Sequence, residues 1–203
     1  MIKLFSVPLY KGTIVPSKSQ EQEALLKLEE IFSNCKKSSW PGESHISTGQ
    51  IHTQLHTLKE FDWLTNSLFY YVQDYWYNGL EYASMDIRLR DSWANLHLLG
   101  DTTAEHSHND GYHGNCHISS VYYLKKPKDC GHIEFCDPLD YIRRLTPYRQ
   151  LQGIDTISSE VKTEQYDFIL FPSWLRHRVS PHPVKEERLA LSFNYIGYDY
   201  INK

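Results

Sequence analysis

AEHSHNDGYHGNCHISSVYYL, residues 104–124, holds four histidines, one aspartate and one cysteine, then runs into an apolar end. Residues 118–124 read as a strand, because β-branched and aromatic side chains suit a pleated, half-buried surface. Just before it, His106, His108 and Asp110 stand at i, i+2 and i+4. An extended chain points all three to one side. A His-x-Asp pair then offers an imidazole nitrogen and a carboxylate oxygen on one face. That is two thirds of a 2-His-1-carboxylate facial triad. The missing ligand should be a histidine on a later, adjacent strand.

FILFPSWLRHRVSPH, residues 168–182, supplies one. Its apolar part ends at Pro172, and His177 follows. Arg188 comes eleven positions later and opens the next strand, RLALSFNY. An arginine pointing into a barrel at that place pairs bidentately with a carboxylate of a cosubstrate. Each element alone is common in proteins. His97, His113, His117, His132 and His182 read as structural histidines, and Trp93 and Trp174 as packing. The order carries more information. It runs Trp-x-Asn at Trp93 and Asn95, His-x-His-x-Asp, paired tyrosines at 122 and 123, Pro-Ser-Trp-Leu-x-His, then the arginine.

The rest of the chain sets bounds. It has 203 residues and a formal net charge of −4, with 40% hydrophobic and 23% charged residues. This suits one globular domain with a sizeable core. It lacks the basic stripe expected of a nucleic-acid partner. No stretch reaches the roughly 18 apolar residues of a membrane span. MIKLFSVPLYKG lacks the apolar run and cleavage site of a signal peptide. A cytoplasmic protein with reduced thiols at Cys35, Cys116, Cys130 and Cys136 is the expectation.

Patterning predicts helices first and strands after. Residues 2–10 read as a first strand. Residues 16–37 read as a helix, N-capped by Ser19 with Gln22 closing a capping box, and with Leu25, Leu28 and Phe32 on one face. Residues 57–80 read as a second helix through Phe61, Leu64, Leu68, Tyr71 and Val72, ended by Asn78 and Gly79. From residue 82 the pattern alternates, first around Ile87, Leu89, Trp93 and Leu96. Further strands follow to residue 198. Such an order indicates an α+β arrangement or a β-sandwich with helices packed outside. Residues 137–158 form a long excursion that reads as a lid.

These motifs resemble the 2-oxoglutarate/Fe(II)-dependent oxygenase superfamily, within it a small group common in marine bacteria and their phages. The resemblance rests on Trp93 and Asn95, Gly100, His106 and His108, residues 121–124 and 171–181, Arg188, and Ser192, Phe193 and Asn194. LFSVPLY at the start adds to it. One departure stands out: Asn109 replaces a proline after His-x-His, Asp110 follows, and the link to the tyrosine strand is longer. HNDGYHGNCHISSVYYL also resembles prolyl hydroxylases, where His-x-Asp, a glycine loop and a cysteine precede a Tyr-Tyr-Leu strand.

The resemblance implies a mainly β fold with N-terminal helices, a double-stranded β-helix or cupin-like jelly roll. One domain would span 1–203, with a helical buttress over 18–80 and the jelly roll over 82–203. It implies Fe(II) on His108, Asp110 and His177, with His106 as the alternative ligand. Arg188 and Tyr123 would hold the distal carboxylate of 2-oxoglutarate, and Asn95 would bond near the metal. The implied reaction is hydroxylation with O2, releasing succinate and CO2, with ascorbate as a supporting reductant. The implied substrate is a prolyl or other peptidyl residue, and a small molecule is the competing class. Two other readings keep the barrel: a cupin-like metal enzyme on His106, His108 and His177 without 2-oxoglutarate, and a non-catalytic binding or virion-associated module.

Overall fold

A strand buried on both faces needs side chains that are apolar or hydrogen-bonded on both sides of the pleat. Three segments meet that demand in the computed structural model, which describes residues 6–39, 41–109, 115–140 and 158–199. They are Ile118–Lys125, Asp167–Pro172 and Arg188–Tyr198, and nearly every residue in them is buried.

In chain order the described strands are β1 (Tyr10–Thr13), β2 (Ile46–Ser47), β3 (Asp86–His97), β4 (Thr103–His106), β5 (Ile118–Lys125), β6 (Ile133–Cys136), β7 (Ser158–Glu160), β8 (Asp167–Pro172), β9 (His177–Val179) and β10 (Arg188–Tyr198). The α-helices are α1 (Lys18–Phe32) and α2 (Asp62–Asp74). The strands form two antiparallel sheets, ordered β1-β8-β5-β10-β3-β2 and β4-β9-β6-β7. Most neighbours in space are distant in sequence, which is the wrapping of a double-stranded β-helix. Among the described residues no helix is long and apolar enough to cross a membrane.

Alternation along β10 builds two cores. Leu189, Leu191, Phe193 and Tyr195 face the helices and pack with Leu28, Leu64, Leu68 and Trp76. Ala190 faces the other way, into the space between the sheets, with Val121, Tyr123, Phe135 and Phe171. The paired tyrosines divide as the pleat requires. Tyr122 lies in the helix-side core and its hydroxyl donates to the Ile14 carbonyl at 2.9 Å. Tyr123 lies between the sheets.

Several expectations need correction. The first strand is Tyr10–Thr13 and pairs with β8 at the sheet edge; residues 1–5 lie outside the described residues. The cap of α1 is Ser17 with Gln20, two residues earlier than Ser19 and Gln22. Both pairs have the same spacing, and the face that α1 buries carries Ala24, Leu28 and Ile31. The second helix opens with a 3-10 turn, Lys59–Phe61, and closes in a π turn, Tyr75–Gly79. In β3, Asn194 pairs with Asp91 and Tyr195 with Leu89, so Arg90 is an extra residue. This bulge flips the alternation. Ile87 and Leu89 join the helix-side core, whereas Trp93 lies on the inner face against His108, with ring centroids 5.5 Å apart. Most of the expected lid, residues 141–157, lies outside the described residues.

The helical layer approaches the sheet closely at Gly197. A Cβ there would stand 2.5 Å from Trp76 Cη2. The indole is held by its N–H bond to the Ala83 carbonyl at 2.9 Å, so it has little freedom to yield. Gly197→Ala is therefore expected to lower unfolding free energy by about 1–3 kcal/mol. Urea denaturation measures it, and an unchanged midpoint would contradict the close packing.

Candidate metal centre

Strand pairing brings two of the predicted imidazoles together. β4 and β9 run antiparallel with His106 directly opposite His177. His108 follows β4, and its backbone N–H donates to the Ser173 carbonyl at 2.9 Å, just beyond β8. Ring centroids of His106 lie 5.0 Å from His108 and 4.3 Å from His177, and the latter two lie 5.2 Å apart. One nitrogen of each ring falls within 4.8 Å of the others. Asp110 lies outside the described residues.

The backbone sets two of the tautomers. His106 Nδ1 is 2.9 Å from the Ala104 carbonyl, and His177 Nδ1 is 2.9 Å from the Leu175 carbonyl. A carbonyl only accepts, so each Nδ1 carries the proton and each Nε2 carries the lone pair. That is the state a metal ligand requires. His108 Nδ1 lies 3.5 Å from Asn194 Nδ2. Asn194 Oδ1 accepts from Ser119 Oγ at 2.8 Å, and Ser119 Oγ bonds Ser173 Oγ at 2.8 Å. Turning the Asn194 amide over presents Oδ1 to an Nδ1–H on His108, the tautomer that places the lone pair on Nε2. Hydroxyl rotors at Ser119 and Ser173 follow that turn at little cost.

The surroundings of His177 favour its neutral form. Burial pushes the His177 imidazole down to about 3, and His106 beside it adds to the shift. Phe171 packs on His177 with centroids 4.8 Å apart, and Phe135 at 6.1 Å.

Arg188 lies in the same inter-sheet space and is 1% exposed. Its Nη1 donates to His97 Nδ1 at 3.3 Å, and its guanidinium stands 5.1 Å over the Tyr123 ring. Among the described residues no carboxylate pairs with it. Three buried polar atoms here have no hydrogen-bond partner: Arg188 Nε, the Tyr123 hydroxyl and Asn95 Oδ1. A fourth, the Tyr195 hydroxyl, belongs to the helix-side core. The Tyr123 oxygen lies near Arg188 and Thr163 without bonding geometry to either. Buried polar groups are rarely left unsatisfied, so the two donors among them, Arg188 Nε and the Tyr123 hydroxyl, describe a receptor for a carboxylate.

Of the predicted residues, the structure assembles His106, His108 and His177 as one group, and Arg188 with Tyr123 as another. Asn95 shares the inner face of β3 with Trp93 and His97. Sequence reading assigned no role to His97, Asn194, Ser119 or Ser173. Asn194 stood inside a recognised motif, but nothing marked it as a partner of His108. His117 and His182 spend ring nitrogens on backbone groups, at Gly197 N (3.1 Å) and at Gly131 N (3.3 Å) and Glu186 O (2.6 Å).

A protein-family model described as "Putative 2OG-Fe(II) oxygenase" matches residues 91–194, half of the chain. No curated protein matches. Among solved structures, HygX from Streptomyces hygroscopicus with nickel and 2-oxoglutarate bound is similar at 14% identity and a TM-score of 0.65, covering 96% of this chain and 84% of that one. A Pseudomonas putida prolyl-4-hydroxylase is similar at 13% and 0.64, covering 96% and 95%. A Trichoplax adhaerens prolyl hydroxylase, in complex with a hypoxia inducible factor peptide fragment, is similar at 13% and 0.63, covering 95% and 81%. At these identities the likeness concerns the fold.

The buried imidazoles make stability depend on pH. Burial, then Arg188, pushes His97 down to about 2, and His177 is held at about 3. Unfolded histidines bind a proton below about pH 6.5. The unfolded state therefore binds more protons below that value, so stability is complete above it and falls as pH drops towards 3. The metal-free protein is expected to lose about 2 kcal/mol per histidine between pH 7 and pH 5. Urea denaturation across that range measures it, and His97→Asn should remove one proton from the slope. A flat profile would contradict neutral burial.

Proposed function

We propose, on the premise that this chain belongs to the 2OG-Fe(II) oxygenase family, that it hydroxylates a peptidyl substrate, a prolyl residue first, with Fe(II) on His106, His108 and His177 and 2-oxoglutarate on Arg188. Enzymes of this family use Fe(II), 2-oxoglutarate and O2. When bound, the iron couples O2 reduction to decarboxylation of 2-oxoglutarate, giving succinate and CO2, and so supplies the oxidant for the substrate. Everything else falls to the chain's own residues.

The observation that carries this reading is the buried guanidinium of Arg188. A charge taken out of water without a partner costs several kcal/mol. Among the described residues the groups around it, His97 and Tyr123, are neutral and leave its charge uncompensated. The distal carboxylate of 2-oxoglutarate supplies the missing anion, and the Tyr123 hydroxyl is a second donor to the same group. Asn95 would bond nearer the iron, since its neighbour Trp93 abuts His108.

His106 is preferred over Asp110 as third ligand because Ala104 already fixes its tautomer. Three neutral imidazoles also leave the full metal charge to attract an anionic cosubstrate. The peptidyl substrate is supported by the prolyl-hydroxylase resemblance of the segment from His108 to the tyrosine strand. Two of the structures named above are prolyl hydroxylases.

Anaerobic titration with Fe(II) and then 2-oxoglutarate tests the site through the visible charge-transfer band of the chelate. The parent protein should develop the band and His177→Ala should not. Arg188→Ala should need roughly 30- to 1,000-fold more 2-oxoglutarate, as for truncating a buried charge pair. His106→Ala should abolish iron binding and Asp110→Ala should retain it; the reverse would assign the third position to Asp110. Succinate release stimulated by a prolyl peptide, with one oxygen gained by the peptide, would support the substrate class. Stimulation only by small molecules would overturn it.

A further inference from the structure

We infer that His97 is a positioning residue for Arg188, a neutral acceptor that orients the guanidinium and leaves its charge for the cosubstrate. The inference rests on Arg188 as the anchor of 2-oxoglutarate.

The sheet builds the pair. Arg188 and His97 face each other directly across β10 and β3. Both are 1% exposed. Arginine carries five N–H donors in a rigid plane, so fixing one of them fixes the direction of the rest. Here Nη1 points to His97 Nδ1 at 3.3 Å. A nitrogen that accepts from a guanidinium carries a lone pair, so the imidazole proton sits on Nε2. That nitrogen lies 2.9 Å from Thr103 Oγ1 and donates to it.

The ring is clamped as well as bonded. His45 stacks on it with centroids 4.9 Å apart and planes 8° from parallel. His45 is itself buried, with Nδ1 3.3 Å from the same Thr103 hydroxyl and 3.4 Å from the Thr102 carbonyl. His97 is thereby held at two ring nitrogens and one face. Its partner on the guanidinium is equally defined. With Nη1 engaged, the edge of the fork that carries Nε remains for a bidentate carboxylate, and Nε has no partner among the described residues.

Neutrality is the point of the choice. An aspartate or glutamate at position 97 would orient Arg188 equally well. It would also neutralise the charge and compete with 2-oxoglutarate for the same donors. An imidazole satisfies one donor and leaves the positive charge unspent. A hydrocarbon would preserve the charge and lose the orientation.

Three substitutions separate these effects. His97→Phe keeps a ring for His45 to stack on and removes the acceptor. His97→Asn keeps an acceptor near the Nδ1 position. His97→Asp adds the competing carboxylate. Calorimetry of 2-oxoglutarate binding to the Mn(II)-loaded protein under nitrogen should show His97→Phe weaker by roughly 10- to 100-fold, the worth of a hydrogen bond to a charged group. His97→Asp should be weaker still, and His97→Asn should recover most of the affinity. Mn(II) affinity should stay near the parent's, and the KM for 2-oxoglutarate should move more than kcat. Equal affinity in the parent and His97→Phe would overturn the inference, as would a parallel loss of Mn(II) and 2-oxoglutarate binding. Arg188→Met in the same series separates the two levels. If it leaves affinity unchanged, the anchor itself is wrong; if it weakens binding and His97→Phe does not, only the role of His97 fails. Nitrogen-15 spectra of the metal-free parent give an answer independent of any variant's folding. They should show an unprotonated Nδ1 and a protonated Nε2 on His97, and a proton on Nδ1 would overturn the inference.

Discussion

A guanidinium sealed between two sheets, with no carboxylate beside it among the described residues, is the constraint on which the account turns. Burying Arg188 in this way opposes stability, because its hydration is lost and the described groups that replace it, His97 and Tyr123, are neutral. The fold tolerates it because β10 is held on both sides, by β3 and β5, and on its far face by a helix-packed core. Leu189, Leu191 and Phe193 anchor the strand from that face. The side chains between them are then free to serve the inner space.

The candidate metal centre follows from the same architecture. Antiparallel pairing of β4 with β9 sets His106 opposite His177, and a backbone bond from His108 to Ser173 ties the third imidazole to the end of β8. Local carbonyls two residues upstream choose the tautomers of His106 and His177. Phe171 touches His177 and packs in one cluster with Tyr123, over which Arg188 stands. The two ends of the candidate site are thus joined by one aromatic wall, and that wall keeps water from the interactions at both ends.

Much of this was legible in the sequence, for physical reasons. Strands β5 and β10 are dense in β-branched and aromatic residues, and their limits were read almost as they stand. His177 and Arg188 were legible because each sits at the start of a strand after a break. The inward face of β3 was not, because the bulge at Arg90 is a property of pairing with β10 and leaves no mark on one strand. Ser17 and Ser19 offer the same cap chemistry at the same spacing to a glutamine, so the sequence alone does not choose between them. His97 was read as a structural histidine because its partner, Arg188, is far away in the chain and meets it only through sheet register. Asp110, which the resemblance implied as third ligand ahead of His106, lies outside the described residues. The bond from Ala104 that sets the tautomer of His106 exists only in three dimensions.

The most direct measurement compares 2-oxoglutarate with 2-oxovalerate, which keeps the 2-oxo acid head and lacks the distal carboxylate. Calorimetry on the Mn(II)-loaded protein should find 2-oxovalerate weaker by roughly 30- to 1,000-fold, the cost of leaving a buried charge unpaired. That ratio should collapse towards unity in Arg188→Met. Equal affinity for the two acids in the parent protein would contradict the account, because it would mean that the buried guanidinium is not awaiting a carboxylate.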